Sequence, residues 1–184
     1  SCDNRQGPTV IDYFARRGIR ERVFPVGRLD GDTEGLLILT NDGELSNYLM
    51  HPRHHIGKTY RADLNAPLTG EDAAKLRAGI DLDGKMTAPA EVAVSPANPQ
   101  RVFITIYEGR NRQVRRMFAA LGYTIDYLQR VAYGNLKLAD LPRGRHRSIS
   151  RTLLLRMIGV PEPGESGVIM EDLDESKLPT ESEA

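Results

Sequence analysis

Asp30 is the residue of this chain best placed to do chemistry. It lies in Asp30-Gly31-Asp32-Thr33-Glu34-Gly35, directly ahead of the apolar run Leu36-Leu37-Ile38-Leu39. A carboxylate in a glycine-bracketed loop at the mouth of a buried strand is held still by the scaffold while its tip stays open, which suits a general base or a nucleophile. Arg28 precedes it and is placed to engage a phosphate or a base. A second chemical signal is Glu108-Gly109-Arg110-Asn111-Arg112-Gln113-Val114-Arg115-Arg116-Met117-Phe118. At helical spacing Arg112, Arg115 and Arg116 share one side, and Val114, Met117, Phe118 and Leu121 share the other. Arg115 falls on the flank nearest the apolar stripe, as expected for a semi-buried ion pair, and an always-ionised guanidinium keeps a neighbouring aspartate charged. Tyr60, in Gly57-Lys58-Thr59-Tyr60-Arg61, is the third: a strand tyrosine is usually a core aromatic, but beside a nucleic-acid site it can stack on an extruded base.

Two simpler readings of the Asp30 loop compete. It begins like a calcium loop, but the twelfth position is Asn41 where a bidentate Glu is wanted, and an apolar strand occupies the stretch between. Asp30-Gly31 is also a common turn between strands; the company of Arg28 and the basic helix favours chemistry.

The elements that must position these residues are legible in outline. Leu36–Thr40 reads as a strand, and Thr40-Asn41-Asp42-Gly43 as a turn capping a helix over Glu44–Met50, closed by His51-Pro52. Lys58–Leu64 alternates as a strand, and Thr69 with Asp72 opens a helix to about Ala78. Short strands follow near Ala90–Val94 and Arg101–Tyr107. The basic helix, Arg112–Leu121, stops at Gly122. Tyr123–Val131 is extended, then Leu136–Leu138, and Ser150 caps a last helix, Arg151–Ile158, ended by Gly159 and Pro161. Strands and helices interleave without a βαβ rhythm, so the expected class is α+β with a mixed, mostly antiparallel sheet.

The 184 residues, 40% hydrophobic and 27% charged, suit one globular domain. There is no apolar run long enough to span a bilayer, so no membrane partner is expected, and the single Cys2 excludes an internal disulfide and a multi-cysteine zinc site. His51, His54 and His55 are grouped without a carboxylate or cysteine partner, so no metal is expected either. Zero net charge hides an asymmetry: 161–184 carries eight acids and one base, read as a disordered acidic tail, against a +7 remainder. Between Arg110 and Arg156 eleven Lys or Arg face two acids, the footprint of a polyanion-binding surface. The RNA-binding candidates are Arg110, Arg112, Arg116, Arg143, Arg145 and Arg147. The opposed charges also suggest that the tail shields the basic surface.

Taken in order along the chain, these motifs resemble those of the ribosomal RNA pseudouridine synthases, in the branch that holds enzyme A of the small ribosomal subunit with enzymes B, E and F of the large one. Gly27-Arg28-Leu29-Asp30 with Thr33, Gly35 and Thr40-Asn41-Asp42-Gly43 is similar to the family's catalytic-aspartate motif, Lys58-Thr59-Tyr60 to its tyrosine motif, and Glu108–Met117 to its basic motif. Met50-His51-Pro52-Arg53-His54 and Thr87-Ala88-Pro89-Ala90 lean toward the type of enzyme B. The resemblance implies that Asp30 is the catalytic carboxylate, that Tyr60 packs against the target uracil, that Arg115 pairs with Asp30, that Val114 lines the pocket, and that Arg28 helps hold the RNA with its base flipped out. It implies a sheet split into two subdomains flanked by helices, with the RNA cleft between them, over residues 1–160. Family members usually begin with an S4-type RNA-binding domain and a strand with a Lys-Pro pattern, so an N-terminally incomplete catalytic domain is expected.

The implied reaction turns uridine, single-stranded or in a loop of ribosomal RNA, into pseudouridine in the cytoplasm, with no cofactor and no metal, and a monomer is expected. The uridine must leave its stack first. Two other functions compete: a non-catalytic RNA-binding or ribosome-assembly protein on the same scaffold, which would not need Asp30, Tyr60 and Arg115 together, and a glycoside hydrolase, which needs a second carboxylate for which Asp32 is the nearest candidate.

Overall fold

The structure is a computed structural model that describes residues 10–16 and 21–161. The acidic segment from residue 162 onward, and with it the expected tail, lies outside the described residues. A six-stranded sheet organises the chain. Its strands are β2 (Glu34–Gly35), β4 (Lys58–Leu64), β5 (Glu91–Ser95), β6 (Asn98–Ile106), β7 (Ile125–Tyr133) and β8 (Leu136–Lys137), in the order β2-β7-β4-β6-β5 with β8 also on β7. Only β2 runs parallel to its neighbour; the other pairings are antiparallel. A separate pair joins β1 (Phe24–Pro25) to β3 (Leu39–Thr40). The helices are α1 (Val10–Ala15), α2 (Gly43–Met50), α3 (Gly70–Ala78), α4 (Gln113–Ala120) and α5 (Arg151–Ile158). This is the α+β class with a mixed, mostly antiparallel sheet.

Local chemistry explains the helix starts. Asp42 accepts from the Leu45 amide at 2.9 Å, Thr69 from the Asp72 amide at 3.1 Å, and Ser150 from the Leu153 amide at 3.3 Å, each satisfying one amide that the helix itself leaves free. Gly159, left-handed at φ +85°, stops α5.

Strand alternation sets the faces of the sheet. Ala62 and Leu64 on β4, Val102, Ile104 and Ile106 on β6 and Leu128 on β7 are buried with Leu76 of α3 and Val114, Met117 and Phe118 of α4. A second apolar cluster gathers Val26, Leu36, Ile38, Leu45 and Leu49 with Tyr133, Leu136, Leu155 and Ile158. Tyr60 packs at the edge of the first cluster, and Tyr133 is buried in the second. Strands β4 and β7 carry both residues, so the two cores meet along that pair.

The main departure from the sequence reading is at Leu36–Thr40. Only Leu39 and Thr40 are strand, and the preceding strand is Glu34–Gly35. Gly35 is the cause. Its φ of +114° turns the chain, and a Cβ there would lie 2.3 Å from the Arg130 carbonyl oxygen. Leu36 then gives its amide to the Arg130 carbonyl at 2.8 Å, and its own carbonyl accepts from Arg130 Nε at 2.7 Å. The apolar run is therefore buried as expected but as a kinked segment, because β7 approaches too closely for a straight strand with side chains at every position. The strand expected at Arg101–Tyr107 begins earlier, at Asn98, because the turn from Ser95 is tight and the two strands pair from Ser95 with Asn98 onward. The extended stretch expected at Tyr123–Val131 runs instead as Ile125–Tyr133, and its register slips by one between Thr59 and Tyr60, leaving Val131 as an extra residue.

Gly35→Ala combines a positive φ with a backbone clash. The expected loss is about 2–4 kcal/mol, read as a lowered urea midpoint at unchanged slope.

Candidate active site

The Asp30 loop leaves the body at Val26, whose amide donates to the Ile38 carbonyl at 2.9 Å, and turns tightly where the Thr33 amide donates to the Asp30 carbonyl at 2.9 Å. Gly31 and Asp32 form its exposed tip, and the Asp30 side chain is 33% exposed. Its described charge contact is with Arg112, whose Nη1 lies 3.9 Å from Oδ2, too far for a hydrogen bond.

Helix α4 braces this loop through Asp32. Arg112 donates to both Asp32 carboxylate oxygens, at 3.0 and 2.7 Å. Arg115 Nη2 donates to the Asp32 backbone carbonyl at 2.7 Å, its Nε is 3.2 Å from Asp32 Oδ2 in an ion-pair contact whose angle is not that of a hydrogen bond, and its Nη1 reaches the Ile125 carbonyl at 3.2 Å. The expected pairing of Arg115 with Asp30 is thus corrected: Arg115 ties loop, helix and β7 together at Asp32, because the tight turn delivers both the carbonyl and the carboxylate of residue 32 to the face of α4. Arg115 is 17% exposed, as its position beside the apolar stripe implied. The Arg112 hydrogen bonds, with the charges of Arg115 and Arg112, hold the Asp32 carboxyl below its usual range against the opposing effect of burial.

Arg112 itself is outside the helix it was expected to begin. At φ +48° it is left-handed and caps α4 without a side-chain cap bond, its side chain being committed to Asp32. A non-glycine residue in that conformation is held there by its surroundings.

Tyr60 is half-buried on β4, directly across from Arg130 on β7 and Ile104 on β6. Val114, expected to line a pocket, is 5% exposed and packs in the core. Arg28 is exposed and has no ion pair among the described residues. The RNA-binding candidates are less free than their number implied. Arg110 donates to the carbonyls of Lys85, at 2.8 Å, and Met86, and lies 3.4 Å from Glu108. Arg116 pairs with Asp83, Arg143 with Glu34 at 3.2 Å, and Arg147 with Asp140 at 4.0 Å. Arg145 has no side-chain ion pair among the described residues. Glu108 also accepts from Gln113 Nε2 at 2.8 Å and the Ala88 amide at 3.1 Å, so the start of the basic motif is locked to the segment that precedes β5.

Sequence reasoning missed Asp32 as the partner of the basic helix, Asp83, and the buried Arg130. The doubled carboxylate in Asp30-Gly31-Asp32 was the available signal for the first. Among the described residues no cluster of His, Cys, Asp and Glu is arranged to hold a metal; His54 instead lies 3.9 Å, ring centre to ring centre, from Tyr48. An open hollow of about 650 Å³, lined by Thr59, Gln129, Lys137 and Asp140 among others, is on the opposite sheet face from Tyr60 and Arg130, since Thr59 and Gln129 alternate with them. It contains none of the candidate residues.

Known proteins are similar to this chain in sequence and in fold. Residues 3–120 match the family described as RNA pseudouridylate synthase. The chain is 40% identical over 168 residues to ribosomal large subunit pseudouridine synthase B of Bacillus subtilis (strain 168), covering 89% of this chain and 68% of that protein. It is 38% identical over 164 residues to ribosomal small subunit pseudouridine synthase A of Yersinia pestis, covering 88% and 68%. A crystal structure of a pseudouridylate synthase superposes with a TM-score of 0.69 at 37% identity, over 73% of this chain and 59% of that one. This chain belongs to the RNA pseudouridylate synthase family. It spans only about three-fifths of the solved relative's length. Among the described residues no helix is long and apolar enough to cross a membrane.

Because the folded carboxyl of Asp32 is held below its ordinary 3.8, its contribution to stability is fully present above about pH 4 and is lost as pH falls through the folded value. The group is half exposed, so the amplitude is below ~1 kcal/mol. Asp32→Asn is expected to lower stability at pH 7 and to flatten this part of the acid limb, read by urea titrations between pH 7 and pH 3.

Proposed function

We propose that this chain converts a uridine of ribosomal RNA, in the large ribosomal particle, to pseudouridine, with Asp30 as the catalytic carboxylate and a flipped-out base as substrate. One observation carries the reading. The tip of the loop is braced by Arg112 and Arg115 through Asp32, while the Asp30 carboxylate stays partly open to solvent with the Arg112 guanidinium 3.9 Å away. A carboxylate that is fixed in place and not consumed by a structural hydrogen bond is what an attack on sugar or base, or removal of a sugar proton, requires. Names of relatives 38–40% identical to the chain support the reaction class.

The remaining roles follow from position. Tyr60 offers a half-buried ring for the target uracil. Val114, behind it in the core, would back the pocket rather than meet solvent. Arg28 and Arg145, without ion partners among the described residues, and Arg143 and Arg147, 88% and 70% exposed, are the cations most available to phosphate. Arg110, Arg112 and Arg116 act first as braces. Residues 1–160 form the catalytic domain, and a cytoplasmic monomer without cofactor fits the reaction, which neither oxidises nor reduces. The hydrolase reading loses support because Asp32, its nearest candidate for a second carboxylate, is occupied by two arginines.

Asp30→Asn is expected to abolish pseudouridine formation, by at least about 10³-fold, while RNA binding is retained. The measurement is carbodiimide labelling with reverse-transcription stops on ribosomal RNA, beside a filter-binding titration. An Asn variant that isomerises at the rate of the unaltered protein would remove Asp30 from the chemistry.

A further inference from the structure

Two cations on the Tyr60 face of the sheet have charges that no ion pair among the described residues answers. Arg130 is 2% exposed; its Nε is spent on the Leu36 carbonyl, and its Nη2 is buried with no hydrogen-bond partner among the described residues. Lys58 is half-buried, and its Nζ has only the Ile56 carbonyl among the described residues, at 3.5 Å. Among the described residues neither has a carboxylate within ion-pair distance. They sit 5.6 and 5.7 Å from the centre of the Tyr133 ring. Two adjacent, poorly hydrated positive charges without an anion are costly unless one arrives.

The strand register explains why they meet. Tyr60 faces Arg130 and Lys58 faces Tyr133, with Val131 as the extra residue between. That slip turns Arg130 and Tyr133, an odd number of positions apart, to the same side of the sheet. Lys58 and Arg130 therefore flank Tyr60 on one face, one along its own strand and one across from it.

We propose that Lys58 and Arg130 receive the negative charge that develops on the carbonyl oxygens of the target uracil; this rests on the reading of Asp30 and Tyr60 given above. When the N1–C1′ bond breaks, its electron pair leaves with the base, and the charge spreads over N1, O2 and O4. The base turns, C5 bonds to C1′, C5 gives up its proton and N1 takes one, so the product is an isomer and nothing is oxidised. Donors fixed in advance in a dry site act most strongly on charge that appears only as the bond breaks. A phosphate is the less fitting anion. The cations offered to the RNA backbone are exposed, as Arg143 and Arg147 are, whereas Arg130 is closed off from solvent and beside the proposed base-stacking ring.

The test uses the full chain and a ribosomal RNA fragment whose uridine the unaltered protein converts. Lys58→Met is expected to lower the single-turnover rate about 100-fold, with RNA affinity, its salt dependence and the thermal midpoint unchanged, and Lys58→Arg to recover part of the rate. Replacing O2 or O4 of the target by sulfur is expected to slow the unaltered protein more than it slows Lys58→Met. Arg130→Gln is the second variant, read in the same cycle if it folds. An unchanged rate in Lys58→Met overturns the proposal. So does weakened RNA binding with an unchanged rate, which marks a phosphate contact, or a rate loss that follows a lowered thermal midpoint without coupling to either sulfur. If the unaltered protein converts no uridine, the proposed function falls and this inference with it; if it converts one and Lys58 is indifferent, only the inference falls.

Discussion

The ion-paired joint at Asp32 connects the Asp30 loop to the basic helix and to the sheet. One short loop residue accepts two hydrogen bonds from Arg112 and, at its carbonyl, one from Arg115, which also reaches the start of β7 at Ile125. Loop, helix and sheet are thereby fixed to one another at a point next to Asp30. An exposed pair of this kind adds little to global stability. Its importance is geometric, since bidentate guanidinium contacts fix orientation as well as distance. In the role proposed for Asp30, a carboxylate that must meet a reacting atom closely gains from a loop whose tip cannot swing.

The other end of the loop is fixed by different means. Leu36 has both of its backbone polar groups taken by Arg130, and Gly35 lies against the backbone of that residue with no room for a side chain. The loop thus hangs between a polar clamp at the sheet and an ionic joint at the helix. Between them the Asp30 side chain is left without a hydrogen-bond partner among the described residues, with Arg112 3.9 Å away. The division of labour is economical in charge. Arginines that make the chain look like a broad polyanion-binding surface are in part neutralised by Asp32, Asp83 and Glu34, so the uncompensated positive charge is left on fewer, more exposed residues.

The helix boundaries and the buried stripe of α4 were legible in the sequence because they depend on local capping and on the period of apolar residues. Thr69 and Ser150 cap where their spacing said they would, and Val114, Met117 and Phe118 are buried together. Strand edges were less legible. The kink at Gly35 depends on β7 crossing close by, and the slip beside Val131 depends on a partner strand far along the chain. The pairing of Arg115 was misjudged for a similar reason: spacing showed a semi-buried cation near an acidic loop, but which of two aspartates meets it depends on how one tight turn presents its tip.

By itself, then, the sequence determined which residue types are present for the chemistry, the order of their motifs, the amphipathic faces and the α+β class, since each follows from neighbours within a few positions. Only the tertiary structure decided which aspartate is clamped and which is left open, that Arg130 is buried against Leu36, and that Lys58 stands beside it on the face of Tyr60. Those outcomes are contacts between residues distant along the chain, and they are set by strand register and by the close packing of backbone on backbone, which no local pattern encodes.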